Sequence, residues 1–430
     1  MKSRILRYLS IFFIIFFCLV TSVFLWQAQI LSTDQVRIYK GESYYVNMRL
    51  PFLYVKGDRD DIILLNGCQL SPELSRVRPP YSMQALELGE VKLEFSLFGK
   101  IPLRQITVNV LPEVYLVPGG HSIGIKLHSR GVAVVGFYYF EEGGRNISPA
   151  REAGVLIGDT IVAINGEDVS NVNRAAELLE KAGGSPVKLL LSRDGKMIEL
   201  TVYPAFSSID RSYRIGLYIR DSAAGVGTLS FYNPETKRFG ALGHVILDTD
   251  TNKPIDIKGG TIVKAKIIDI KPAQRGQPGE KTGIFMEHDD FKGVIDKNTP
   301  FGIFGHIEQF QYENSPYPEP IPMALAGQVE LGPAEILTVV EGDKIASYNV
   351  EIEKLTYQTR PSDKGIVLRV VDEELLRLTG GIVQGMSGSP IIQNGRLVGA
   401  ITHVFVNDPT RGYGVFMEWM HQEAEILANN

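Results

Sequence analysis

Downstream of its first thirty or so residues the chain is written in short apolar runs that alternate every second position and stop at glycine or proline. Val36-Arg37-Ile38-Tyr39, Tyr44-Tyr45-Val46-Asn47-Met48 and Val91-Lys92-Leu93-Glu94-Phe95 are examples, and the stretch from about Arg211 to Asn430 continues in short β runs. A period of two puts every other side chain on one face, which suits a half-buried strand and not a helix. The expectation is therefore a mainly β protein. Its 430 residues suggest about three domains. With 44% hydrophobic and 22% charged residues the composition is that of globular protein, and the 43 glycines and 23 prolines have no three-residue period. The net charge of −5 gives no basic face for nucleic acid.

The N-terminus follows another rule. Tyr8 to Trp26 is 19 residues without a charge, preceded by Lys2, Arg4 and Arg7. At about 1.5 Å per residue a helix of that length spans roughly the 30 Å hydrocarbon core. The basic flank stays in the cytoplasm, which places everything after Trp26 across the membrane. A cleaved signal peptide has a shorter apolar region and a small-residue cleavage site, and Ala28 matches that poorly. Residues 1–33 thus read as a cytoplasmic tail and transmembrane signal anchor. The two cysteines, Cys18 and Cys68, can build neither a disulfide framework nor a cysteine-based zinc site.

Residues 34–113 read as a small β domain without evident chemistry. Residues 114–206 are organised differently. Pro118-Gly119-Gly120-His121 leads into Ser122-Ile123-Gly124-Ile125, and Ser148-Pro149-Ala150 opens a short helix that ends at Gly154. Gly158-Asp159 and Asn165-Gly166 bound a strand, Asn171 to Lys181 is amphipathic, and Asp194-Gly195 joins two strands. This run resembles a PDZ domain, an α+β fold. The resemblance implies that Ser122, Ile123, Gly124 and Ile125 form a loop whose N–H groups cap a peptide C-terminus, the peptide adding as a strand alongside. A PDZ fold used only for internal docking is the blander alternative.

Residues 207–430 carry the chemistry. Gly385-Met386-Ser387-Gly388-Ser389-Pro390 fits the G-x-S-G-x-P pattern of chymotrypsin-like serine proteases, and a hairpin pattern follows at Ile391–Thr402. The glycines let the chain turn tightly, so that the N–H groups of Gly385 and Ser387 converge on a forming oxyanion. Such a serine needs a base, and chain order leaves His244, His288 and His306 upstream of it within this region. His244 sits in a small-residue turn, His288 in a charged loop, and His306 follows Phe304-Gly305. For the acid, Asp372, Asp248 and Asp250 are open. Thr402 and His403 fall where a strand would line the substrate pocket, or are structural. No HExxH, Walker or Rossmann pattern occurs, so neither metal nor nucleotide cofactor is expected.

Three segments make the resemblance more specific: Ala241-Leu242-Gly243-His244, Gly380 to Pro390, and Thr402-His403 through Pro409. They are similar to the stage IV sporulation protein B peptidases of spore-forming Firmicutes, and the order of anchor, β region, PDZ domain and chymotrypsin-like β-barrel peptidase follows that family. The resemblance implies His244 as base, Ser387 as nucleophile and Asp372 at the acidic position. It further implies a single-pass membrane protease facing the space between the two forespore membranes. There it would cut itself within its first 110 residues, with release of the catalytic part. It would then cut an inhibitory membrane complex of an intramembrane protease, built of stage IV sporulation protein F subunits, and so switch on late mother-cell transcription. Expected partners are therefore protein substrates including itself, a C-terminal peptide at the PDZ domain, and the membrane. The rival class is an inactive membrane-anchored PDZ adaptor.

Overall fold

The computed structural model describes residues 11–15, 35–46, 52–287, 291–308, 315–356, 358 and 361–426. The expected anchor at residues 8–26 lies outside these apart from Ile11–Ile15. Among the described residues no helix is long and apolar enough to cross a membrane. The chain divides into two compact units, one of residues up to Val114 with Tyr357–Pro361 and one of Tyr115–Thr356 with the residues from Ser362 onward.

The first unit is all β. One five-stranded sheet runs in the order Gln35–Tyr39, Ile101–Leu111, Gly89–Leu97, Leu53–Gly57, Ser75–Val77. A four-stranded sheet runs Ser43–Val46, Tyr81–Ala85, Ile63–Leu65, Cys68–Gln69. The period-two pattern shows directly in Gly89–Leu97, where Val91, Leu93 and Phe95 are buried and Glu90, Lys92 and Glu94 are exposed. Those apolar residues share one core with Ile38, Leu53 and Met83.

The second unit holds two barrels and the PDZ domain. The second barrel closes through six strands, Gly332–Val339, Ile345–Leu355, Ile366–Val370, Asp408–Phe416, Arg396–Phe405 and Pro390–Gln393. The first barrel also closes on itself. Ser122–Phe137 pairs with Ile257–Lys271, which pairs with Lys292–Thr299, then Gly302–Ile307, Arg238–Ala241 and Leu217–Asn233. Leu217–Asn233 then pairs back onto Ser122–Phe137. Ile123, Ile125, Leu229, Phe239, Ile262 and Ile303 lie in its buried core.

The PDZ domain is inserted into this first barrel. Strand Ser122–Phe137 starts in the barrel, and its second half crosses into the PDZ sheet, pairing Val132 with Ile161. The sheet continues through Thr160–Ile164, Val187–Arg193 and Lys196–Val202. The helix Val172–Ala182 covers it, with Ala175 and Leu178 buried and Asn171 accepting from the Arg174 N–H at its start. The chain re-enters the barrel along Leu217–Asn233, whose first residues pair Ile219 with Val134. The PDZ core accordingly runs from Val132 to Ile215, with Leu217 and Ile219 packed against it. Residues 115–128, assigned above to the PDZ domain, are built into the barrel instead, and residues 207–219 lie with the PDZ domain. A strand joining two sheets has the same alternation along both halves, so periodicity alone does not show the crossing.

Candidate active site

Gly388 explains the local shape of the G-x-S-G-x-P turn. Its φ of +94° is one that other residues seldom adopt, and a Cβ there would stand 2.0 Å from the Thr228 carbonyl oxygen. Ser387 is thereby pressed against the first barrel, its carbonyl accepting from the Thr228 N–H at 3.0 Å. The Thr228 hydroxyl donates to the Gly385 carbonyl at 2.7 Å, and the Gly388 N–H donates to the Ile401 carbonyl at 2.7 Å. The turn is therefore clamped between the two barrels. Met386 and Ser389 use their N–H groups inside the turn. Among the described residues no hydrogen bond takes the N–H of Gly385 or of Ser387. Two N–H groups left without an acceptor in the turn that carries a serine are what binding of a tetrahedral oxyanion requires.

The turn opens onto a cleft of about 970 Å³ whose walls include His244, Asp363, Gly385, Ser387, Thr402 and His403. In the resting structure the Ser387 hydroxyl donates to the Thr402 carbonyl at 2.8 Å. The His244 and His403 rings lie 4.9 Å apart, centroid to centroid. His244 Nδ1 is 2.8 Å from the Val245 carbonyl oxygen. A carbonyl can only accept, so Nδ1 carries the proton and the lone pair is left on Nε2. Burial pushes the His244 pKa below its ordinary value, while the Val245 hydrogen bond and the Asp363 charge draw it back up. Burial and the neighbouring His244 hold His403 lower still, at about 4, and its buried Nδ1 has no hydrogen-bond partner. At neutral pH both rings are uncharged acceptors. Only His244 has its tautomer fixed by a neighbour.

The structure places Asp372, the acid implied by resemblance, away from the cleft. It is the N-cap of helix Glu373–Thr379, accepting from the Leu375 N–H at 3.0 Å and from the Asn349 N–H at 3.2 Å. A carboxylate held by two backbone donors at a helix start is doing a cap's work. Asp363, in the loop before Ile366–Val370, is the carboxylate whose charge bears on both His244 and His403. Nothing in Arg360-Pro361-Ser362-Asp363-Lys364-Gly365 marks it as functional; the register of the second barrel brings it there. Asp248 caps its own turn, accepting from Asp250 and Thr251, and it and Asp250 also pair with Arg220. His306 lies outside the cleft, 3.2 Å from Asp296, and His288 falls outside the described residues.

A second correction concerns the peptide loop. Ile123, Gly124 and Ile125 pair on one side with Gly227, Val226 and Gly225, and on the other with Lys264, Val263 and Ile262. Ser122 pairs with Thr228. With both edges taken and Ile123 and Ile125 in the barrel core, no peptide can add beside this segment. The edge that flanks the PDZ helix belongs to the start of Leu217–Asn233. Leu217 and Ile219, like Val172, Leu179 and Ala182 of the helix, pack against the PDZ core, and the Val172 N–H donates to Asp221 Oδ2 at 2.9 Å. Gly216 opens this edge with φ +77°. The Ile215 and Gly216 carbonyls are taken by the N–H groups of Ala150 and Tyr138, and Gly216 also accepts from the Ser148 hydroxyl. Ser148 stands at the N-cap position of the short helix Pro149–Glu152, but its hydroxyl makes this bond and no capping bond. In sequence the two segments look alike, Ile215-Gly216-Leu217 matching Ile123-Gly124-Ile125 in having one glycine between two apolar residues.

Residues 211–421 match the model of the family described as SpoIVB peptidase S55, and residues 147–193 that of the PDZ domain. Among curated proteins, one from Brucella suis named as a zinc metalloprotease is 27% identical over 106 residues, 24% of this chain and 27% of that protein. A protein of the same name from Lactococcus lactis is 37% identical over 70 residues, 16% of each chain. The chain thus spans only about a quarter of the length of the first of these relatives. Among solved structures it is similar to the Rv3671c protease from M. tuberculosis. The active form gives a TM-score of 0.26 at 14% identity, covering 47% of this chain and 74% of that one. The inactive form gives 0.25 at 14%, covering 48% and 85%.

Proposed function

The chain belongs to the SpoIVB peptidase S55 family and is a PDZ-containing serine endopeptidase; from that premise we propose that Ser387 is its nucleophile and His244 its general base. The observation that carries this reading is the pair of unpaired N–H groups, Gly385 and Ser387, beside a serine hydroxyl in the cleft that also holds His244. In the reaction, His244 Nε2 takes the proton as Ser387 Oγ attacks the scissile carbonyl. The two N–H groups receive the oxyanion, each such donor being worth about 10²–10³ in rate. His244 then gives its proton to the leaving amine, and a water activated by the same ring hydrolyses the acyl-enzyme. The Val245 carbonyl holds the imidazole tautomer, and Asp363 favours the imidazolium through its charge.

The finer reading follows the family. The protease is membrane-anchored, acts in sporulation outside the cytoplasm, cuts itself in its first 110 residues and then cuts a regulatory membrane protein that restrains late mother-cell sigma-factor processing. The PDZ domain captures a peptide C-terminus at the Ile215-Gly216-Leu217 turn. At that turn the Ile215 and Gly216 carbonyls are already occupied, which leaves N–H groups to face a ligand, the polarity a carboxylate needs.

Full-length chain, as wild type, Ser387→Ala and His244→Ala, is followed by intact mass over time. Wild type alone should break into fragments. Fragmentation of Ser387→Ala at the wild-type rate, with an added protease inhibitor excluding contamination, would refute the assignment.

A further inference from the structure

The PDZ groove and the catalytic cleft are two sites of the second unit. Here one strand serves both. From Leu217 to Gly227 the strand Leu217–Asn233 pairs only with Ser122–Phe137, and among the described residues no strand takes its other edge. The first residues of that open edge lie beside the helix Val172–Ala182, where Leu217 and Ile219 leave part of their apolar surface uncovered. A few residues on, Ser222, Ala223, Ala224, Gly225 and Val226 line the cleft that contains Ser387 and His244. Ser222, Ala224 and Gly225 are exposed, and a Cβ at Gly225 would meet nothing within 4 Å. No residue between Leu217 and Gly225 has the positive φ that would turn the strand aside.

We propose that this edge is a ruler: an extended polypeptide tail, its C-terminal carboxylate at the Ile215-Gly216-Leu217 turn, adds as an antiparallel strand along Leu217–Gly225 and meets Ser387 at a fixed distance from its end. The inference rests on the peptidase reading above and adds the substrate class. The direction follows from the turn. A carboxylate at the strand's start forces the bound chain to run backward along it, so the residues upstream of the C-terminus reach the cleft. At about 3.3 Å per residue the edge from Leu217 to Gly225 is about 26 Å long, which places the cleaved bond about eight to ten residues from the C-terminus. Main-chain hydrogen bonds supply the affinity in such an addition, so the tail's sequence matters less than its extended form and free end. Continuity with the cleft is what selects a substrate tail over a second copy of this chain or a stationary docking peptide.

The test uses the full chain in detergent micelles. The probe is a 16-residue Ser/Val peptide ending in a free valine carboxylate, with one benzoylphenylalanine placed at successive distances from the end. It is crosslinked to the Ser387→Ala variant and the sites are mapped by mass spectrometry. A probe one or two residues from the end should mark Leu217–Ile219 or the helix Val172–Ala182. One eight to ten residues away should mark Ser222–Val226, His244 or His403. Amidating the C-terminus should abolish both by at least tenfold. Cleft labelling that persists in the amide, labelling elsewhere (a second copy included), or no labelling overturns the ruler. Wild type is then given the same peptides without the crosslinker, in lengths from 8 to 16 residues. Cuts that keep their distance from the C-terminus support the ruler, and cuts without that distance overturn it while the peptidase reading stands. No cuts, with the expected crosslinks, overturn the peptidase reading and leave the ruler.

Discussion

Asp372 offers a clean separation of capping from catalysis. Its Oδ1 accepts from Leu375 and its Oδ2 from Asn349. Removing a capping carboxylate costs about 1 kcal/mol, and the second hydrogen bond contributes about another 1 kcal/mol. Asp372→Ala should therefore destabilise the second unit by about 2 kcal/mol, roughly 4–8 °C in melting temperature for a domain of this size. Asn caps almost as well as Asp, so Asp372→Asn should lower the melting temperature by only about 1 °C. At 25 °C both variants should keep kcat/KM within about twofold of wild type, because neither touches the cleft. A triad acid behaves in the opposite way. Replacing it by Asn leaves the fold intact and lowers kcat by about 10⁴, some 5.5 kcal/mol of transition-state stabilisation. The assay pairs thermal unfolding with hydrolysis of one peptide substrate. A loss above a hundredfold in Asp372→Asn with an unchanged melting temperature would show that the carboxylate acts on the imidazole in the working enzyme, and would sink the capping argument.

Other consequences can be checked alongside it. Because burial depresses the His244 pKa and the ring must be neutral to act, kcat/KM should rise with pH along an acid limb centred below 6.5; a limb centred above 7 contradicts this. Asp363 raises that pKa, so Asp363→Asn should move the limb to lower pH and reduce kcat about tenfold or more, and an unmoved limb would remove Asp363 from the site. Gly388→Ala should abolish peptide hydrolysis because its Cβ would overlap the Thr228 carbonyl. Gly395→Ala, at a similar φ of +73° but with nothing within 4 Å, should cost only about 1 kcal/mol and keep activity; equal activity in the two variants would refute the argument. Lys281, fully buried below the serine turn with its Nζ on the Thr338 hydroxyl, has its pKa lowered by burial from 10.5 to about 7. The folded state then binds fewer protons than the unfolded chain between those values, so stability rises with pH across that window. Lys281→Met should lack that rise in urea midpoints measured at pH 7 and pH 10, and a variant with the wild-type slope would place the titration elsewhere.

What could be read from the residues was what local backbone geometry dictates. The serine turn needs glycine at Gly388 because a Cβ has no room, and that need is visible as a motif. The alternation of Val91, Leu93 and Phe95 announces a strand because half of it is buried. Likewise the PDZ turns at Asn165-Gly166 and Asp194-Gly195 are visible because their residues tolerate the left-handed region, with φ of +53° at Asn165 and +49° at Asp194. Asp363 is different. Its charge reaches His244 and His403 only because the second barrel closes, and a charge in a loop leaves no periodic trace. Asp372 misled for the converse reason, since an acid followed by Glu-Glu-Leu-Leu is first of all a helix start.

The insertion of the PDZ domain was hidden by the same limit, and it is also what gives the molecule its open strand. A barrel strand normally has both neighbours along its whole length. When a domain is inserted between Ser122–Phe137 and Leu217–Asn233, both strands must extend beyond the barrel to reach it, and they stay paired to each other as they do so. The other side of Ser122–Phe137 is covered by Ile257–Lys271 within the barrel and by Thr160–Ile164 within the PDZ sheet. The other side of Leu217–Asn233 acquires Arg238–Ala241 only from Leu229 onward, because the chain turns away at Leu242 to present His244. The departure that places His244 in the cleft is thus the same event that leaves the edge unpaired. A rigid extension of Arg238–Ala241 past Ala241 would pair this edge from within the chain, but the residues that make it would include His244, so that route to a closed edge costs the cleft His244.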